Sequence, residues 1–168
     1  EDTYRTLTAV DSAIVVVDVA KGVEIQTEKL TKVCRMRDTP IIFFVNKLDR
    51  EGKDGFDLLD EIEQKLDVKI CPLSWPIGMG QRFKGVYNLY ERKLVLFNPH
   101  GKQEEEEIIV FDDLSRPELE QHVGESAART LREEVEMLET VYPAFDKATY
   151  HKVDICTILL GSADLKIR

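Results

Sequence analysis

The sequence predicts an α/β fold: a parallel sheet with helices, carrying an α+β insertion. Three observations predict it. Residues 12–19, 40–45 and Ile155–Leu160 are apolar on successive positions rather than on alternate ones, as in strands buried on both faces of a parallel sheet. Residues 23–37 between the first two runs are amphipathic at helical spacing, so strand, helix and strand form a right-handed βαβ unit. Residues 85–90 and 93–97 instead alternate apolar with polar, the pattern of half-buried antiparallel strands.

Taken in order, residues 1–9 have helical spacing at Tyr4 and Leu7, with Asp2 or Thr3 to cap them. There is no start methionine, and the segment reads as cut from a longer chain. The first strand ends at Asp18. In the helix after it, Val23, Leu30, Val33 and Cys34 share a face, with Glu24, Glu28, Lys29 and Lys32 elsewhere, and Asp38-Thr39-Pro40 stops it. The second strand ends at Asn46. Phe56, Leu59, Ile62 and Leu66 predict a second helix, entered through Gly52 and Gly55. The run Ile155–Leu160 is the third parallel strand and ends at Gly161-Ser162-Ala163. Residues 1–69 and 152–168 thus supply a three-stranded parallel sheet with helices.

Residues 70–151 read as the insertion. Residues 70–77 are one candidate strand, and Asn98-Pro99-His100-Gly101 is turn-like. Residues 107–111 can pair back across that turn. Ser115-Arg116-Pro117-Glu118 has capping-box spacing. The helix that follows has a stripe of Ala128, Leu131, Val135 and Leu138. The acidic run at residues 104–107 is a solvated hairpin edge that resists pairing rather than a metal site.

Composition removes several function classes. With 43% apolar and 33% charged residues the chain is an ordinary globular one, and no apolar run approaches the roughly 20 residues a membrane span needs. Cys34, Cys71 and Cys156 are far apart and odd in number, which fits a reducing cytoplasm and argues against a disulfide framework. The net charge of −9 disfavours nonspecific binding to nucleic acid, but not a ribosomal partner reached through protein or through other parts of a longer molecule.

The strongest chemical signal is Asn46-Lys47-Leu48-Asp49, directly after the second strand. In open parallel sheets ligands lie beyond the carboxyl ends of the strands. A short carboxylate there accepts two parallel hydrogen bonds from an N–H and an amino group side by side, which guanine presents and adenine does not. Asn46 can donate to an acceptor edge or tie the loop to its neighbours, and the stem of Lys47 can lie over the base plane. Ser162 and Ala163 follow a buried strand too; small residues let backbone N–H groups approach a carbonyl oxygen of the base. The bland alternative for each loop is a polar turn capping a strand.

Three segments, S-A-I-V-V-V-D-V-A-K-G-V-E, T-P-I-I-F-F-V-N-K-L-D-R and L-S-W-P-I-G-M-G, the last continuing to Phe83, Gly85, Val86 and Tyr87, together resemble the translational GTPases. The last segment is most similar to bacterial class II peptide-chain release factors, with the ribosomal translocase next. The resemblance implies part of a P-loop GTPase-type G domain. In it Asn46 and Asp49 match the residues that read guanine, Lys47 the one flanking the base, and Ser162-Ala163 the loop touching the base oxygen. It implies GTP or GDP as ligand of the parent protein, and the ribosome and class I release factors as its partners. Asp18 matches a loop near the nucleotide and is expected to cap the turn that follows it.

One departure from the family is expected to decide activity. No G-x-x-x-x-G-K-[ST] phosphate loop occurs, and the family's D-T-P-G-H segment would lie before Glu1. The Mg2+ ligands and both switches are then outside these residues, which predicts no GTP hydrolysis and little nucleotide affinity. An open edge on the first strand predicts self-association. A noncatalytic interaction module, with the exposed Arg129, Arg132, Glu133 and Glu136 of the insertion helix as its face, is the reading of a different class. An α/β domain for a ligand other than nucleotide is a third.

Overall fold

The computed structural model describes residues 10–97, 106–151 and 155–162. The predicted helix at residues 1–9, the turn at residues 98–101, residues 104 and 105 of the acidic run and Ala163 lie outside the described residues. The β-branched run forms β1 (Ala13–Asp18), followed by helix α1 (Ile25–Met36) and strand β2 (Ile41–Asn46). β1 and β2 pair in parallel, with Asp18 opposite Asn46. Helix α2 (Gly55–Leu66) starts where the Asp54 carboxylate accepts hydrogen bonds from the Phe56 and Asp57 N–H groups.

Strand β3 (Lys69–Pro72) straddles the boundary expected at residue 70 and joins the parallel sheet. The last described strand, β8 (Ile155–Leu160), lies between β2 and β3, so the order is β1-β2-β8-β3. The sheet therefore has four parallel strands where three were expected. Its register puts Val15, Val17, Phe43, Val45, Ile158 and Leu160 on one face, all buried with Leu58, Leu59 and Ile62 of α2.

Burial on both faces does not hold at β1. Ile14 and Val16 are 68% and 59% exposed, and Ile42 and Phe44 beside them are half-buried. The apolar run reflects strand propensity there, while packing covers alternate residues only. The buried stripe of α1 also differs from expectation. It consists of Thr27, Thr31 and Cys34, with Leu30 and Val33 half-buried on its flank.

A second, antiparallel sheet follows in the order β4-β5-β6-β7: β4 (Ser74–Ile77), β5 (Gly85–Asn88), β6 (Lys93–Phe97) and β7 (Glu106–Val110). Residues 70–77 are thus two strands in two sheets, broken at Leu73. Trp75, Ile77, Tyr87, Leu94 and Phe111 pack with helix α3 (Glu118–Val123) and with Ala128, Leu131, Val135 and Leu138 of α4 (Glu125–Val141). The predicted stripe of α4 is the buried one. Ser115 is not a helix cap; its N–H and hydroxyl both donate to Asp113, and Pro117 stands at the start of α3. Gly124, at φ 86°, separates α3 from α4. A short helix α5 (Lys147–His151) precedes β8.

Candidate base-recognition site

Because β1, β2 and β8 are parallel neighbours, the loops leaving Asp18, Asn46 and Leu160 gather at one edge of the sheet. The backbone locks them together. Gly161 N–H donates to Val45 O at 2.9 Å, Leu48 N–H to Gly161 O at 3.3 Å, and Val19 N–H to Asn46 O at 3.1 Å. Leu48 is fully buried, and its carbonyl accepts from Gly80 N–H at 2.9 Å. The β2 loop is thus clamped by the β8 loop on one side and by the turn after β4 on the other.

Within that frame the carbonyl oxygen of the Asn46 side chain accepts from Lys47 N–H at 2.8 Å, and Arg50 N–H closes the turn on Lys47 O at 2.9 Å. Asp49 and Ser162, 113 residues apart, meet: the Ser162 hydroxyl donates to Asp49 Oδ1 at 2.5 Å. Ser162 is fully buried and Asp49 half-buried. One hydroxyl uses part of the acceptor capacity of a carboxylate and orients its plane. Of the five residues singled out from sequence, four are brought together here, and Ala163 lies outside the described residues.

The ammonium of Lys47 has a partner that the reading of its stem did not name. It has a left-handed backbone at φ 69°, and its Nζ lies 2.6 Å from Asp18 Oδ2 across the strand ends. The predicted capping role of Asp18 is present, since its Oδ1 accepts from Ala20 N–H at 2.9 Å and from Lys21 N–H at 3.4 Å. Its partnership with Lys47 was missed. That hydrogen bond is the main reason the Asp18 carboxyl is held below its ordinary range, against the opposing effect of burial.

A second ionic cluster braces the β1 loop. Glu61 accepts from Val23 N–H at 3.2 Å, from Lys53 Nζ at 2.5 Å and from Lys65 Nζ at 2.8 Å. Burial alone would raise its pKa, but these donors bring it down to about 2. Lys53 N–H also donates to Val19 O at 3.1 Å. Arg132, expected on an exposed docking face, instead donates to Leu114 O, Arg116 O and Glu120, fastening α4 to α3. Among the described residues no group of three or more His, Cys, Asp or Glu is placed to hold a metal ion, and no helix is long and apolar enough to cross a membrane.

A parallel sheet with an interlocked pair of loops at its carboxyl edge, and an antiparallel insertion beside it, is the architecture of part of a GTPase G domain. The Elongation factor Tu GTP binding domain matches residues 1–167, and the chain belongs to that family of translational GTPase domains. A crystal structure of a protein from Thermus thermophilus is similar in fold, with a TM-score of 0.64 and 21% identity over 98% of this chain. The match covers 26% of that protein, so the chain spans about a quarter of its length.

Proposed function

We propose that this edge of the sheet recognises guanine, and that the chain serves as the base-reading part of a GTP-binding protein acting on the ribosome. The observation carrying this reading is the joining of Asp49 to Ser162 at the ends of adjacent strands. A carboxylate oriented in this way suits the N–H and amino pair of guanine. Asn46 ties the loop, and Ala163 would offer its backbone to the base oxygen. The residues fit GTP or GDP through the base, whereas the phosphates and Mg2+ would be held by residues of the parent outside this set.

The finer assignment is to translation termination, with the ribosome and class I release factors as partners in the cytoplasm. Support comes from Leu73-Ser74-Trp75-Pro76 and residues 87–90, which resemble class II release factors. A translocase or another ribosomal GTPase is the alternative. If the protein carrying this chain speeds dissociation of class I release factors from terminated ribosomes, the first holds; if it speeds translocation instead, the second does.

The base reading is tested on the chain itself by backbone NMR with millimolar GDP, XDP and ADP. GDP should move the amide signals of Asn46, Asp49 and Ser162 more than ADP does. Asp49→Asn should transfer the preference to XDP, because the amide replaces an acceptor by a donor. Equal responses to GDP and ADP would remove guanine recognition.

A further inference from the structure

We propose that Asp18 is a positioning residue for the base site: it holds the Lys47 ammonium away from Asp49 and so leaves that carboxylate to the base. This rests on the guanine reading above. Lys47 is two residues from Asp49, and a lysine on a flexible stem pairs readily with a carboxylate that near. The structure divides the charges otherwise. Asp18 takes the ammonium at 2.6 Å, and Asp49 takes the Ser162 hydroxyl.

Three features make Asp18 a fixed anchor rather than a passing contact. It ends β1 in register with Asn46, so its position is set by the sheet. Its other oxygen is held by two backbone N–H groups of the following turn. Its side chain is 18% exposed against 40% for Lys47, so the anchor is the more buried partner. The left-handed backbone of Lys47 is uncommon for a residue with a Cβ, and its side chain reaches across to β1. Tethering the ammonium before a ligand arrives removes an ordering cost at binding and leaves the methylene stem available to the base plane.

The test is a double-mutant cycle on GDP affinity, read by NMR titration of the wild type, Asp18→Asn, Lys47→Met and the double variant. Asp18→Asn should weaken GDP about threefold, the scale of a half-exposed ion pair. In the Lys47→Met background the same change should do nothing, and Asp18→Glu should restore part of the loss. Unchanged affinity in Asp18→Asn, or an equal loss in both backgrounds, would overturn the proposal and leave Asp18 a turn cap. A ligand-free readout on the wild type does not depend on a variant folding: relaxation should show the Lys47 ε-methylene more ordered than that of Lys21, whose side chain is 63% exposed. Equal mobility would also overturn it. Failure of the guanine reading is distinct: Asp49→Asn would leave the GDP-to-XDP preference unchanged whatever Asp18 does.

Discussion

Replacing Glu61 by Gln removes one charge from the brace beneath the β1 loop and keeps its shape. At neutral pH the wild-type carboxylate joins Val23 N–H, Lys53 and Lys65. Its pKa falls from 4.5 to about 2 on folding, and at 1.36 kcal/mol per unit the ceiling is about 3 kcal/mol. The two lysines are 37% and 48% exposed, and water screening reduces the expected loss to about 1–2 kcal/mol. The sign follows from a depressed folded pKa: this stability is complete above the unfolded value and is lost as pH falls from about 4.5 toward 2. Urea unfolding of wild type and Glu61→Gln, followed by Trp75 fluorescence, should show the full gap at pH 7, a shrinking one below pH 4.5, and almost none near pH 2. Hydrogen exchange at the Val23 amide should accelerate in the variant at pH 7. A stability gap of the same size at pH 3 and pH 7 would refute the argument, because shape and neutral hydrogen bonding would then account for all of it.

Other consequences are open to measurement. Trp75 donates to Glu134 at 2.6 Å, and burial raises the carboxyl pKa of Glu134 despite that bond. A raised folded pKa means stability falls as pH climbs above the ordinary value, so Glu134→Gln should match or exceed wild type at pH 7 and lose its advantage by about pH 4. Trp75→Phe leaves that carboxylate without its donor and should cost about 1–3 kcal/mol in urea unfolding followed by circular dichroism. Leu131 is 1% exposed in the insertion core, and Leu131→Ala should cost about 2–5 kcal/mol by the same assay. Among the described residues β1 pairs only with β2 and exposes Ile14 and Val16, so sedimentation should show self-association that Val16→Lys weakens; a clean monomer at high wild-type concentration would contradict it.

The parts legible in the sequence are those with a local signal. The runs ending at Asp18, Asn46 and Leu160 are strands because β-branched residues follow one another, and N-K-x-D stands out because it follows one of them. β3 escapes because Lys69–Pro72 is only four residues long and merges with the next apolar stretch. The buried face of α1 escapes because Thr27 and Thr31 look polar yet occupy core positions. The Asp18–Lys47 pair joins residues 29 apart at the ends of neighbouring strands; the βαβ reading brings those ends together but does not say which carboxylate the Lys47 ammonium takes. The meeting of Asp49 with Ser162 is foreseeable for the opposite reason: each loop follows a buried strand, and parallel strands deliver such loops to one edge.

Strand β8 sits inside the parallel sheet, yet it is the last described strand along the chain. Among the described residues β3 has no hydrogen-bonded strand neighbour but β8. During synthesis, then, β3 must wait unpaired while residues 73–154 emerge, and the insertion has time to fold first. Asp49 likewise has no Ser162 hydroxyl to meet until β8 has slid into place. A nascent chain that stalls before residue 155 would hold β1, β2 and the antiparallel sheet, and still lack the contact between the β2 and β8 loops on which the proposed base site rests.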